Sequence, residues 1–241
     1  MTANLRPHLT RQMRLFITTD YPCSYLPGRQ ARNLVADPVA VNQLTFEQLM
    51  LMGFRRSGEH VYRPHCQGCS HCLSLRIPVE QFQPNRSQRR IWQRNQGLRV
   101  KFMPPGFRLE HYRLFERYVR SRHPDGGMDN TNPDSYLSFI SSHWSDTWLW
   151  EFSDAEGLRV VAVVDHLKEG LSAVYTFFDP DLPAQSLGTY SILCQIEHAR
   201  QHGLQWVYLG YWVKQCQKMA YKAQFNPHEI YYDGEWHASK A

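Results

Sequence analysis

Residues 185–225, QSLGTYSILCQIEHARQHGLQWVYLGYWVKQCQKMAYKAQF, constrain this chain more than any other stretch. Ile192, Leu193, Ile196 and Ala199 recur at helical spacing, with Gly188 near the helix start. Gly203 follows the last turn, where a left-handed C-cap favours a residue without a Cβ. Residues 206–209 then read as a buried strand, and Gly210, Tyr211 and Trp212 lead into a loop carrying Lys214, Lys218, Tyr221 and Lys222. A helix start, a strand end and a cationic aromatic loop therefore converge. Backbone N–H groups at a helix N-terminus can hold an anionic oxygen, and lysines and tyrosines beyond the strand can position an ester or a phosphate. The combination suits acyl transfer, although an ordinary helix-turn-strand unit with surface lysines carries the same pattern.

Such a unit needs a core to pack on. With 241 residues, 42% hydrophobic and 13% aromatic, the chain can bury one large core or two small ones. It has no run of about 18 apolar residues, and its start, MTANLRPHLTRQMRLF, has cations but no apolar signal core. The expectation is a soluble, unexported, cytoplasmic protein with no membrane partner. A formal charge of +5 and a pI near 8.9 allow an acidic partner without requiring one. Six cysteines are too few for a disulfide scaffold, and three closely spaced ones suggest reduced thiols.

From the N-terminal side, residues 13–18 read as a strand feeding a loop, 20–29, whose shape Pro22, Pro27 and Gly28 restrict. Thr45 is the expected N-cap of a helix that turns Phe46, Leu49, Met50 and Phe54 inward and ends at Gly53. Residues 60–63 and 73–79 read as strands, the second placing Arg76 between Leu75 and Ile77. Between them Cys66, Cys69 and Cys72 form C-x-x-C-x-x-C, a spacing that can aim neighbouring sulfurs at one metal centre. Cys23 is the natural fourth ligand, with His65 and His71 in reserve for zinc. Zinc and an iron–sulfur cluster both suit the set, and so do metal-free thiols in a turn.

Residues 84–101 hold Arg86, Arg89, Arg90, Arg94, Arg99 and Lys101 on a helix and the strand after it. Arg86, Arg90 and Arg94 fall on one face with Arg89 beside them, a stripe suited to a phosphate backbone or simply to solvent. Trp92 packs beneath the helix or stacks on a base. After Gly97 the pattern changes, and a second domain is expected to start at 98. It brings a strand at 98–103, a helix with Tyr112, Phe115, Tyr118 and Val119, a polar loop at 123–130 that is a lid or a connection, and a short helix at 134–140. Strands at 147–152, 159–165 and 171–178 form a meander ahead of the 185–225 unit, and a last strand at 228–233 closes on Trp236.

This order resembles the layout of the Gcn5-related acetyltransferases. The fold class expected is α+β: an N-acyltransferase (Gcn5-related) fold in residues 98–241, beside a smaller cysteine-containing α+β domain in residues 1–97. An acetyltransferase carries a glycine-rich pyrophosphate loop before its long helix. Here Gln185-Ser-Leu-Gly188 has one glycine, so acetyl coenzyme A is not the expected donor.

Taken together, Cys23-Ser-Tyr25-Leu26-Pro27-Gly28-Arg29, then Tyr62-Arg63-Pro64 before the cysteine triplet, then Arg76-Ile-Pro78, and finally SLGTY, LGYW and Lys218-Met-Ala-Tyr221-Lys222 give the chain a family likeness. It resembles the aminoacyl-tRNA-protein transferases of the N-degron pathway over nearly its whole length, and among them the short bacterial branch that transfers leucine to aspartate and glutamate. The resemblance implies transfer of an amino acid, leucine by closeness to that branch, from a charged tRNA to the N-terminal Asp or Glu of a protein, marking it for degradation. Larger relatives hold a metal or cluster through a C-x-x-C pair, and Leu26 stands where its second cysteine would fall. Arginyl transfer, and a non-catalytic tRNA- or metal-binding adaptor, are the alternatives.

The chemistry so implied joins an activated ester to an α-amine of reference pKa about 8, and needs positioning and oxyanion stabilisation more than a strong base. No cofactor is required for it. On this reading Gly188, Thr189, Tyr190 and Tyr211 surround the scissile carbonyl, while Lys218, Tyr221 and Lys222 hold the terminal nucleotides. Asp165 orders the acceptor amine or assists its deprotonation, or else is a turn residue. An acidic N-terminal residue calls for a guanidinium that can meet a carboxylate bidentately, and Arg76 and Arg29 are the candidates.

Overall fold

The computed structural model describes residues 13–122 and 132–239. The polar loop expected as a lid or connection lies outside them. Along the chain come β1 (Leu15–Ile17), β2 (Tyr21–Pro22), β3 (Gln30–Ala31), β4 (Asn33–Ala36), α1 (Gln43–Leu51), β5 (Arg55–Ser57), β6 (His60–Pro64) and β7 (Leu73–Pro78). There follow α2 (Arg86–Asn95), β8 (Arg99–Met103), α3 (Leu109–Arg122), α4 (Pro133–Ile140), β9 (Thr147–Asp154), β10 (Gly157–Leu167) and β11 (Gly170–Phe178). The last elements are α5 (Leu187–Gln201), β12 (Trp206–Trp212), a 3-10 segment (Gln217–Gln224), β13 (Glu229–Tyr232) and β14 (Glu235–Ala238). No described helix is long and apolar enough to cross a membrane.

Eight strands form the main sheet in the order β14-β13-β7-β12-β11-β10-β9-β8, antiparallel except where β11 meets β12. Both faces are covered, which is why β10 carries the uninterrupted run Val160-Val-Ala-Val-Val164 instead of an apolar–polar alternation. Val160, Ala162 and Val164 face a core with Leu193 and Ile196 of α5 and with Ile91 and Trp92 of α2. Val161 and Val163 face Leu114, Phe115 and Val119 of α3 and Tyr136 and Ile140 of α4. Trp92 packs against Tyr190, so it lies beneath its helix. The second face continues past β12, where Tyr208, Trp206 and Trp236 meet Phe46, Leu49 and Met50 of α1.

A small antiparallel sheet, β1-β4-β6-β5, sits beside α1. That helix begins earlier than its apolar pattern suggests. Asn42 is the cap: its side chain accepts from the Thr45 N–H at 3.0 Å, and Thr45 Oγ1 accepts from the Asn42 N–H at 2.8 Å. Thr45 thus completes a capping box from the third helical position.

The boundary expected at residue 97 does not divide the architecture. β7 lies inside the main sheet between β13 and β12, with Ile77 opposite Val207, and α2 packs into the α5 core. Leu75 and Ile77 on one face and Ser74 on the other are all buried, so the strand's backbone groups are kept from water and need partners on both edges, which β13 and β12 supply.

Candidate active site

The main sheet opens at one place. β11 and β12 pair in parallel over three residues only, Gly170 to Ser172 against Trp206 to Tyr208, although β11 runs on to Phe178 and β12 to Trp212. Beyond that point β11 stays in register with β10, and β12 stays with β7 through an irregularity at Leu209. Gly210 adopts φ +81°, a conformation that a side chain would strain. The facing edges of the two strands therefore part, leaving backbone N–H and C=O groups without a strand partner. One of these is taken from the 3-10 segment: Lys222 Nζ donates to Tyr211 O at 2.7 Å.

The mouth of this opening is aromatic and cationic. Tyr118 of α3 stands 6.2 Å from Tyr175 and 4.8 Å from Phe178, centroid to centroid, and the Arg122 guanidinium lies 5.6 Å over Phe178. Gly188 lets α5 come up against the same ring, since a Cβ there would lie 3.0 Å from Phe178 Cε1. Lys218 Nζ donates to Arg122 O at 3.3 Å, tying the 3-10 segment to the end of α3, and Tyr221 is exposed beside it. Ser186, left-handed at φ 53°, makes no side-chain cap for α5, so no capping oxygen takes the first-turn N–H groups around Gly188 and Thr189.

The basic helix flanks the opening. Arg86, Arg89, Arg90 and Arg94 are all exposed along α2. Gln88 Nε2 donates to Gln224 O at the end of the 3-10 segment, and Asn95 Nδ2 donates to Gln185 O just before α5. The stripe thereby runs from one rim of the site to the other. Arg89 and Arg94 each use one amine on a backbone carbonyl, that of Pro84 and that of Ala184 respectively. Arg86 and Arg90 are the freer pair.

Tyr211 and Tyr190 are not beside a carbonyl as expected. The Tyr211 hydroxyl is buried 3.0 Å from Tyr62 O and 3.1 Å from Gly53 O, joining the small sheet to the main one. Tyr190 packs against Trp92 and Phe152 in the α5 core, where burial raises its phenol's pKa and keeps it neutral. Asp165 is neither a base nor a turn residue. It is fully buried, its Oδ2 accepting from Arg56 Nε at 2.7 Å and its Oδ1 from Arg56 Nη2 at 2.6 Å and Thr147 Oγ1 at 2.7 Å.

Arg76 is likewise occupied. Its Nε donates to Glu229 Oε2 at 2.8 Å, and its guanidinium is held between the rings of Trp206, 3.6 Å away, and Trp236, 4.3 Å away. It sits in the closed part of the sheet opposite Tyr208, and it does not line the cavity walled by Tyr25, Tyr62 and Tyr211. Replacing Arg76 by Met should therefore lower stability by about 1 to 3 kcal/mol, the usual cost of stranding a partner such as Glu229. Urea unfolding reads the loss, and an unchanged midpoint would show that the ion pair is incidental.

A cavity of about 670 Å³ lies on the α1 side of Tyr211, walled by Phe16, Tyr25, Tyr62, Tyr211, Arg29 and the thiols of Cys23, Cys66, Cys69 and Cys72. Arg29 is its one arginine or lysine among the described residues. The four cysteines thus share a wall, but they do not share a centre. Among the described residues no group of three or more His, Cys, Asp or Glu side chains converges closely enough to hold a metal ion. Burial first, and then the neighbouring Cys66, Cys23 and Cys69, push the Cys72 thiol up to about 12, so with no metal bound it is a protonated thiol at neutral pH.

Sequence reading did not single out Arg55, nor the inward hydrogen bond of Lys222 to the Tyr211 carbonyl. Arg55 is buried, its Nη2 donating to Leu75 O at 3.2 Å, its Nη1 3.6 Å from Met50 Sδ, and its Nε without a hydrogen-bond partner. Burial first, and then the positive charge of Arg55, push the Lys222 amine down to about 7, against an opposing contribution from Cys216. Tyr118 and Arg122, four positions apart on α3, were readable as one helix face but not as a wall of this site.

Comparison with known proteins matches two family models. The one described as arginine-tRNA-protein transferase, C terminus, aligns with residues 110–232, and its N-terminus counterpart aligns with residues 21–90. A protein of Nitrosococcus oceani named aspartate/glutamate leucyltransferase is 52% identical over 223 residues, 92% of this chain and 94% of that one. Proteins of the same name from Chromohalobacter salexigens and Thiobacillus denitrificans are 49% and 46% identical over 97% and 96% of this chain, and over 96% and 97% of their own lengths. Among solved structures, L-PGS from Bacillus licheniformis aligns at a TM-score of 0.47 and 11% identity, covering 69% of this chain and 58% of that one, a likeness too distant to argue from.

Proposed function

The chain belongs to the arginine-tRNA-protein transferase family, and from that membership we infer that it transfers leucine from Leu-tRNA to the N-terminal Asp or Glu of acceptor proteins. The observation that carries the choice of leucine and of acidic acceptors is the name shared by relatives that match this chain almost end to end. The geometry supports it. A cleft with unpaired backbone groups, an uncapped helix start and an aromatic, cationic mouth is what an acyl-bearing nucleotide and an attacking amine require. The antiparallel run β8 to β11, followed by α5 and the parallel β12, supports reading the large sheet as an N-acyltransferase fold of the Gcn5-related kind.

In this reading Gly188 and Thr189 present N–H groups to the carbonyl oxygen, Lys218, Tyr221 and Arg122 face the terminal nucleotides, and the α2 arginines hold the phosphate backbone. Arg29 is the acceptor's carboxylate partner, since Arg76 is already paired with Glu229. The product carries a new N-terminal leucine, consistent with a cytoplasmic role in marking proteins for degradation.

One assay tests the reading: labelled Leu-tRNA, Arg-tRNA or acetyl coenzyme A is incubated with Asp-, Glu- and Lys-starting peptides. Label should pass from Leu-tRNA to the two acidic peptides. Preferential transfer from Arg-tRNA, or binding of tRNA without transfer, would overturn it. Changing Arg86 and Arg90 together to Ala should weaken tRNA binding and reduce the slope of log K against log salt by about 1 for each phosphate no longer neutralised. An unaltered slope would return both arginines to solvent.

A further inference from the structure

Aminolysis of an ester leaves a proton on the attacking nitrogen that must go somewhere before the ribose oxygen can leave. We propose that Lys222 Nζ receives this proton, as the general base of the transfer, with the nearby buried guanidinium of Arg55 acting on it as a positioning residue. The inference rests on the leucyl-transfer reading above.

Lys222 is half-buried where β11 and β12 part, and its amine is turned inward to the Tyr211 carbonyl, not outward to a phosphate. Nζ also lies against Gly210 of the same strand, within ordinary contact distance, 3.6 Å, of where a Cβ would stand. Among the described residues no carboxylate forms an ion pair with Lys222 or with Arg55; the charge of Asp165, which is bound to Arg56, is felt by Arg55 but does not appear among the groups acting on Lys222. Other than Tyr211, whose carbonyl it meets, the charged or titratable groups acting on Nζ are Arg55 on β5 and Cys216 ahead of the 3-10 segment. A buried positive charge with no ion-pair partner of its own opposes a second one close by. Arg55 itself is lowered only to about 10 by burial and stays charged, so Lys222 is the member of the pair that gives up its proton, near pH 7. A neutral amine donating one N–H to a carbonyl keeps its lone pair for another proton, whereas a lysine gripping phosphate has none to offer.

The step balances. The acceptor's α-nitrogen attacks the ester carbon and forms the C–N bond, its proton passes to Lys222 Nζ, and collapse of the adduct breaks the C–O bond to the ribose. That oxygen keeps the electron pair and takes the proton back from the Lys222 ammonium, leaving the enzyme as it began.

The test starts from wild-type enzyme with saturating Leu-tRNA and Asp-starting peptide. Absence of leucyl transfer at this stage would defeat the functional reading and not this inference. With transfer established, Lys222→Ala should lower kcat about 10²- to 10⁴-fold, the usual range for general base catalysis, with tRNA binding retained. Lys222→Arg should fail equally, because a guanidinium stays protonated. A non-nucleophilic tertiary amine such as trimethylamine should restore part of the Lys222→Ala rate. The acid limb of kcat, rising through about pH 7 in the wild type, should move to higher pH in Arg55→Met, because removing that charge lets Lys222 hold its proton longer. The acceptor's own amine titrates identically with both enzymes. Should Arg55→Met not fold, the two Lys222 variants and the amine rescue decide alone. A Lys222→Ala enzyme within about threefold of wild-type kcat with an unchanged pH profile, or an active Lys222→Arg enzyme, would overturn the proposal.

Discussion

Replacing Asp165 by Ala is expected to cost the protein about 3 to 5 kcal/mol of stability, a large part of the ~5 to 15 kcal/mol that holds a typical protein folded. The carboxylate is fully buried and takes three hydrogen bonds, two from Arg56 on β5 and one from Thr147 on β9. The Arg56 side chain is 1% exposed and that of Asp165 0%, so removing the acid strands a guanidinium out of reach of water. The pair also fastens the small sheet to β10, and its loss should loosen the wall of the cavity behind Tyr211. Arg56→Met combined with Asp165→Leu should recover most of the loss, because an apolar pair of similar volume need not pay for desolvating two charges. Urea denaturation of the single and double variants reads this directly. A single-variant loss below about 1 kcal/mol would mean that water reaches the pair and that the interior is less closed than these hydrogen bonds imply.

Gly170→Ala is the second change expected to act strongly. A Cβ at residue 170 would lie 2.5 Å from the carbonyl oxygen of Trp206 and 3.2 Å from its carbonyl carbon, and both are backbone atoms that cannot rotate aside. Gly170 and Trp206 are the first partners of the short parallel ladder from which β11 and β12 diverge. Forcing them apart should cost about 1 to 3 kcal/mol, in the range of overpacked core sites, and should shift β12, with the Tyr211 carbonyl that Lys222 binds, relative to β11. Leucyl transfer should fall together with stability, while tRNA binding by the α2 arginines persists. Gly97→Ala is the control: nothing stands within 4 Å of its Cβ, and its effect should stay within about 0.5 kcal/mol. Equal unfolding midpoints for the two variants would show that the strands separate more freely than this close approach allows.

Much of the architecture was legible along the chain. Apolar residues at helical spacing marked α5, the strands at 147–154, 157–167 and 170–178 were found within a few residues, and the arginine stripe of α2 lies exposed as its spacing implied. These features depend on neighbours within a turn or a strand, and hydrophobic periodicity reports such neighbours faithfully. Partners far apart in sequence were not legible. Arg76 finds Glu229 across 153 positions, and Arg56 finds Asp165 across 109. Both arginines sit in short strands with nothing local to reveal the carboxylate they meet.

What the sequence alone determined was the set of elements, the family likeness, and the presence of a lysine–tyrosine segment after a buried strand. The tertiary structure decided where β7 enters the sheet, that β11 and β12 part after three paired residues, and that the buried charge of Arg55 bears on Lys222. The physical reason is that helix and strand patterns are written by local burial. A side chain's charge state and partner depend on which distant edges and faces are brought together, and no period in the chain encodes that.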